Sequence, residues 1–271
     1  MSQQDCSLVI STYNWPQALE LCLLGVLRQT VMPGEIVIAD DGSSSATRLF
    51  IETFRGQCPV PIKQVWHADN GFQKTIILNE AVRNCANEYI IQIDGDIIID
   101  PNFISDHITR KKPGFFLRGS RTLINESATK KLIQKKSIDI DFLSRGIKNR
   151  MNGYRNNLLS SVHKRFSKSG YDKGILGCNF SYFKQDFIDV NGYNNDIVGW
   201  GQEDSELGVR LMNNGIRKLM LKYKAVCFHL HHHINSRDRD DHNKLKLREA
   251  VVNNIVTCAN GYSNPHPVQI W

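Results

Sequence analysis

Two carboxylates separated by one glycine, Asp94-Gly95-Asp96, sit in the run YIIQIDGDIIID at residues 89–100. The residues ahead of them are strand-like. Alternation along a strand sends residues i and i+2 to the same side, so both carboxylates are expected to face one spot. Like charges held that close repel unless a cation or a set of donors offsets them. A hard divalent cation lying on a phosphate-bearing substrate would do so, because Mg2+ takes one or two protein carboxylates together with phosphate oxygens. A second pair, Asp40-Asp41, precedes Gly42 and three serines. A carboxylate there can accept hydrogen bonds from ribose hydroxyls or a base imide; the same Asp-Gly-Ser series also favours an Asx-type turn. A third pair, Glu203-Asp204, follows Gly199-Trp200-Gly201. A carboxylate within reach of a hydroxyl suits proton abstraction, and a ring between two glycines suits a mobile loop laid against a sugar. Acidic residues also suit the first turn of a helix starting at 203.

The elements that must position these groups alternate. SLVIST at 7–12 reads as a strand, and Pro16 opens a helix with Leu19, Leu23, Val26 and Leu27 on one face. Pro33-Gly34 is expected to break the chain before a strand at 35–40. Further expected elements are a helix at 45–55, a strand at 62–67, a helix at 72–86, the strand ending at Asp94, a helix near 102–112 and a strand near 114–118. Strands alternating with helices at this spacing imply right-handed crossovers and a largely parallel sheet, with ligands beyond the carboxyl ends of its strands. Residues 11–14, 40–41 and 94–96 all fall at such ends. The remainder reads as a strand pair near 217–229 and a closing helix around 242–257, with the helix from 203 before them.

At 271 residues, 41% hydrophobic and 23% charged, the composition is that of an ordinary globular protein with enough chain for a sizeable core. No apolar run has the length of a membrane span, and the polar start does not read as a signal peptide. Seven cysteines without CxxC spacing argue for buried thiols in a reducing cytoplasm, not for disulfides or zinc. The net charge of +7 is confined to residues 120–170, where 12 Lys/Arg face 3 Asp/Glu; the rest of the chain holds 22 basic and 24 acidic residues. This block is expected to be a basic helical insert, poor in strands, and its charge suits an anionic partner such as a membrane surface or glycan. It lacks the aromatic-interleaved strands of nucleic-acid modules, so no nucleic acid is expected.

ISTYNWPQALELCLLGVLRQT, EIVIADDGSS, DNGFQKTIILNEAV and IIQIDGDIIIDPNFI together resemble the family-two glycosyltransferases of GT-A fold. GCNFSYFKQDFIDVNGYNNDIVGWGQEDSELGVRLMNNG resembles the half shared by animal β-galactosyltransferases and bacterial chondroitin-type polymerases. The resemblance implies an α/β, Rossmann-like fold, packed as one domain. Residues 1–119 would be the donor half, 120–170 the insert and 171–271 the acceptor-binding and catalytic half. It implies that Thr12, Tyr13 and Asn14 close over the nucleotide base and that Asp40, with Asp41 beside it, reads uracil or ribose. Phe72 and Lys74 would touch the donor's nucleotide, and a lysine can offset diphosphate charge. Asp94 and Asp96 match the metal-binding acidic motif, with Asp96 the direct ligand of Mn2+ or Mg2+. His229 in CFHLHHH matches a further metal ligand; His231, His232 and His233 remain alternatives. Asp204 aligns with the catalytic base, Glu203 and Trp200 with acceptor contacts, and Asn179 with a donor-sugar contact.

The implied reaction is a single displacement with inversion, in which a UDP-sugar gives up a hexose or N-acetylhexosamine to a glycan or lipid-linked acceptor in surface polysaccharide synthesis. A bacterial cytoplasmic enzyme, peripheral at the inner membrane face, is the expected setting. Gln73, and Leu78 before Asn79, stand where many relatives carry arginine, which bears on the donor sugar. A nucleotidyltransferase would need a basic phosphate-cradling loop after the first strand, and STYNWPQ offers none. A catalytically silent binding protein would not need Asp94, Asp96, Glu203 and Asp204 together.

Overall fold

The structure, a computed structural model, describes residues 3–162, 175–232 and 238–271. Its first half alternates as the sequence implies: β1 (Gln3–Thr12), α1 (Pro16–Leu27), β2 (Met32–Asp40), α2 (Ser45–Arg55), β3 (Ile62–Trp66), α3 (Lys74–Arg83) and β4 (Tyr89–Asp94). After β4 the chain turns and continues as β5 (Ile97–Ile99), α4 (Phe103–Arg110), β6 (Phe115–Arg118), β7 (Thr122–Ile124), α5 (Glu126–Lys135), β8 (Ile147–Lys148) and α6 (Asn157–Val162). The last part holds β9 (Phe180–Phe183), α7 (Lys184–Asp189), α8 (Glu203–Asn213), β10 (Arg217–Met220), β11 (Cys227–His229), α9 (Asp240–Val252) and β12 (Gln269–Ile270).

Eight strands form the main sheet in the order β10-β6-β9-β4-β1-β2-β3-β12. The β2-β1-β4 centre and the β2-β3 and β6-β10 pairs are parallel, whereas β9 runs antiparallel between β4 and β6. The central strands are apolar on both faces because helices cover both. Leu8 and Ile10 of β1 and Ile36 and Ile38 of β2 enter one core; Val9, Val37 and Ala39 enter the other. A second sheet, β5-β11-β7-β8, packs on α1, which sends Leu19 and Leu23 into the main core and Ala18 and Leu21 into a third cluster with Ile98 and Phe228. Being buried on two sides, α1 links the sheets.

Four sequence expectations need correction. Pro33-Gly34 does not precede β2 but lies inside it: Pro33 pairs with Gln4 before a register shift, near the start of a strand where a missing N–H is tolerated. The stretch 217–229 is no strand pair, since β10 joins β6 in the main sheet and β11 joins β5 and β7 in the other. Residues 120–162 are not only helical but also supply β7 and β8, which pair with each other and extend β11; residues 163–170 lie outside the described residues. Finally, Asp94 and Asp96 are not two positions of one strand. β4 ends at Asp94, the Gly95 N–H turns back to the Ser11 carbonyl at 2.7 Å, and β5 leaves in the second sheet. A Cβ on Gly95 would come within 3.0 Å of that carbonyl and 3.4 Å of Thr12, which explains the bare centre of the motif.

Candidate active site

A cleft of about 700 Å3, within the size range of small-molecule sites, opens beyond the carboxyl ends of β1 and β4. Its centre is Lys74 in the first turn of α3, whose Nζ lies 2.7 Å from Oδ1 of Asp94; the Ser11 hydroxyl donates to the same oxygen at 2.8 Å. Burial alone would raise the pKa of Asp94, but Lys74 and Ser11 outweigh it and bring it down to about 2. For Lys74 burial works against the charge, and Asp94, Asp204 and Glu203 reverse that and hold its pKa above the ordinary range.

On one side of this pair stands a cluster of three metal-competent groups. Asp96 Oδ1 lies 3.5 Å from Nε2 of His229 and Asp96 Oδ2 lies 3.4 Å from Nε2 of His232. One ligand atom from each residue falls within 4.8 Å of the others. His229 Nδ1 is 2.9 Å from the Leu230 carbonyl. A carbonyl only accepts, so Nδ1 carries a proton and Nε2 is the nitrogen turned toward Asp96, the orientation of a metal-binding imidazole. Asp96 Oδ1 is buried and accepts no hydrogen bond. A buried carboxylate oxygen facing imidazole nitrogen is a poor arrangement by itself and a good one around a cation, and an Asp/His/His set favours Mn2+ over Mg2+. The residues fit the group. Of the histidine alternatives, His232 joins His229 without replacing it, His231 donates its backbone N–H to Thr129 Oγ1, and His233 lies outside the described residues.

On the nucleotide side predicted from sequence, Thr12, Tyr13, Asp41 and Phe72 line the cleft. Asp41 accepts from the Gln73 N–H at 3.0 Å and contacts His67 Nε2 at 2.8 Å; burial chiefly raises its pKa. Tyr13, 51% exposed, donates to Asp69. Four predicted residues are not among those that line the wall: Asp40, Asn14, Asn179 and, on the opposite side, Asp204. Asp40 is fully buried, its oxygens accepting from the Ser43 N–H at 2.8 Å and Gln64 Nε2 at 2.7 Å, so here the local turn reading holds and Asp41 is the carboxylate presented. Asn14 takes a left-handed conformation (φ +46°) and braces the next loop, its N–H donating to Ser43 Oγ and its side chain accepting from the Ser44 N–H. Asn179 is buried; its amide donates to the Ser120 and Ala225 carbonyls and its oxygen meets His107, tying three segments behind the cleft.

The opposite wall carries Trp200 and Glu203. Gly199 and Gly201 both have positive φ, and the Gly199 N–H reaches the Phe72 carbonyl at 3.4 Å, which draws this loop across to the nucleotide side. Glu203 opens α8 and accepts from the Gly201 N–H at 3.1 Å. Burial, and then the charge of Asp204, push its pKa up to about 7 against the pull of Lys74. Asp204 is oriented by two donors, the Tyr193 hydroxyl at 3.0 Å and the Gly177 N–H at 2.8 Å, and burial raises its pKa too. A Cβ on Gly177 would fall 2.4 Å from the Asp204 carboxylate, so only glycine lets that side chain reach the backbone donor. Sequence reasoning placed Ser11 at a ligand-facing strand end without giving it a role, and missed His67, Tyr193 and the cleft-lining Arg121 and Lys148. The charge count pointed to the basic segment, but nothing in it singled out those two.

The cleft joins a cation cluster, a lysine among carboxylates and the buried Glu203, with the half-buried Asp204 next to Glu203 but off the lining, which suits transfer of a group from a diphosphate. Residues 156–233 match the N-terminal domain of galactosyltransferase. The chain is 25% identical over 240 residues to the chondroitin synthase of Escherichia coli, covering 77% of this chain and 32% of that protein. It spans a third to a half of the length of the first curated relatives it matches. Among solved structures, S. aureus TarS 1-349 in complex with UDP-GlcNAc superposes with a TM-score of 0.60 at 16% identity, covering 96% of this chain and 69% of that one. The mannosyltransferase PcManGT from Pyrobaculum calidifontis, in complex with GDP-Man and Mn2+, gives a TM-score of 0.57 at 14% identity, covering 84% and 57%. These likenesses give the fold, that of the GT-A glycosyltransferases. Residues 7–176 match glycosyl transferase family 2, and the chain belongs to that family.

Proposed function

We propose that the protein is a metal-dependent, inverting glycosyltransferase that moves a hexose or N-acetylhexosamine from a UDP-sugar to a glycan or lipid-linked acceptor. The carrying observation is the Asp96-His229-His232 cluster opening into the same cleft as Asp41, Lys74 and Glu203. In this reading Thr12, Tyr13, Asp41 and Phe72 hold the nucleotide, residues 1–119 form the donor half, and residues 171–271 supply the acceptor and catalytic groups. Asp96, His229 and His232 would hold Mn2+ or Mg2+, which when bound supplies positive charge to the leaving diphosphate. Lys74 adds a fixed positive charge beside it. Trp200 lays its ring on the sugar while Glu203, whose pKa near 7 lets it carry a proton, binds an acceptor hydroxyl. Asp204, aimed by Tyr193 and Gly177, takes the proton of the attacking hydroxyl, and attack opposite the diphosphate turns an α-linked donor into a β-glycoside.

A panel of UDP- and GDP-sugars with Mn2+, followed by calorimetry and by hydrolysis, tests this; UDP-sugars should bind only with the metal. Indifference to every UDP-sugar would overturn the proposal. Among the described residues no helix is long and apolar enough to cross a membrane. Exposed Leu143, Met151 and Leu158 accompany the basic charge of 120–170, which supports peripheral contact of a cytoplasmic enzyme with anionic lipid. Sedimentation with anionic vesicles should fall with added salt, and its absence would remove that contact.

A further inference from the structure

The residues of the metal cluster begin a row that continues across the second sheet. Ile97 of β5, next to Asp96, pairs with His229 of β11; His229 pairs with Leu123 of β7; Leu123 pairs with Lys148 of β8. Directly paired residues project from the same face of a sheet. Lys148 therefore shares the face of His229 and stands two strand spacings, about 10 Å, beyond it. Both it and Arg121, from the connection between β6 and β7, line the cleft. Following the strands, the cleft runs from Asp41 after β2, through Thr12 on β1 and Asp94 on β4, to His229 and then Lys148, so Lys148 lies past the cation cluster from the nucleotide side.

Arg121 feels the charge of Asp94 only at a distance. Lys74 is committed to Asp94 at 2.7 Å, but among the described residues neither Arg121 nor Lys148 has a carboxylate within 4 Å. The Arg121 guanidinium, half-buried, instead meets the Cys178 sulfur at 4.0 Å. A single sulfur leaves most of a guanidinium's five donors unused, and the guanidinium fork matches the two oxygens of a carboxylate or phosphate. Resting on the transferase reading above, we propose that Arg121 and Lys148 form an anion subsite for the acceptor, so that the acceptor is an acidic glycan bearing a carboxylate or phosphate beside the attacked sugar. The donor diphosphate has its own countercharge in the metal cluster.

The test is binding at saturating UDP and Mn2+, using three probes: a disaccharide ending in glucuronate, the same disaccharide ending in glucose, and a phosphorylated form of the latter. At least one acidic probe should bind about tenfold or more tightly than the neutral one, as a charged hydrogen bond warrants, and which of them does identifies the carboxylate or the phosphate. Arg121→Gln should remove that preference, and Lys148→Gln, at an exposed site that leaves folding intact, should reduce it by about threefold. UDP affinity should change by less than about twofold in Lys148→Gln, since that lysine lies beyond the cation cluster. Equal binding of all probes, or weakened UDP with the preference intact, would overturn the subsite. Failure of the unaltered protein to bind UDP would be a different result, because it removes the transferase reading itself.

Discussion

Lys74 and Asp94, joined at 2.7 Å with their side chains 15% and 21% exposed, are the electrostatic hinge of the cleft. The lysine also faces the charges of Asp204 and Glu203, so one cation balances three carboxylates from two halves of the chain.

Lys74→Met should therefore destabilise the fold by about 3 kcal/mol, the lower end for breaking a buried pair because both groups keep some water. Urea denaturation measures it. Asp94→Asn in the same background should recover part of the loss, with a coupling above about 1 kcal/mol in the double-mutant cycle. Strict additivity would show that the pair contributes nothing.

Metal binding gives a second expectation. Asp96→Ala should abolish Mn2+ binding, and His232→Ala should weaken it by no less than the 10–100-fold typical of outer-sphere partners, both read by calorimetry. His231→Ala should leave it unchanged, since that side chain is not part of the cluster. Equal loss in the His231 and His232 variants would remove the assignment.

The acidic wall predicts a pH dependence. Glu203 is shifted from an ordinary 4.5 to about 7, first by burial and then by Asp204. Between those values the folded protein holds the proton more tightly than the unfolded chain. The group's contribution to stability is full below about 4.5 and is lost as pH rises through 7. Without metal, the unaltered protein should lose stability relative to Glu203→Gln on going from pH 5 to pH 8. A difference between the two that stays constant with pH would mean that the shift is absent.

Much of this was legible in the sequence. The parallel core follows from apolar strands such as SLVIST and EIVIAD alternating with helices, because burial on both faces leaves no polar alternation to misread. Local geometry was harder. Asp40 and Asp41 are adjacent and chemically identical, and which one faces the cleft depends on the Ser43 and Gln64 donors that capture Asp40. Asp94 and Asp96 do share a site, but by a turn and a second sheet, not by alternation on one strand. Lys148 reaches the cleft only through the β11-β7-β8 register, a long-range pairing that no local pattern in a basic stretch announces. Tyr193 was likewise unseen, because its role lies in a hydrogen bond formed across the fold.

That hydroxyl carries the last expectation. Tyr193 accepts from Gln92 Nε2 at 2.8 Å and donates to Asp204 Oδ1 at 3.0 Å, so it both aims the carboxylate and favours its charged form. Asp204→Asn should keep UDP binding and lose transfer by about 100-fold to 10,000-fold, the usual worth of a general base. Tyr193→Phe should keep UDP binding as well but lower kcat by only about tenfold, a loss of the size expected for one hydrogen bond to a charged group. It also removes a donor that lowers the Asp204 pKa, so the acid limb of the pH–rate profile should move to higher pH. A Tyr193→Phe enzyme slowed to the same degree at every pH would show that the hydroxyl supports the fold and not the charge of Asp204.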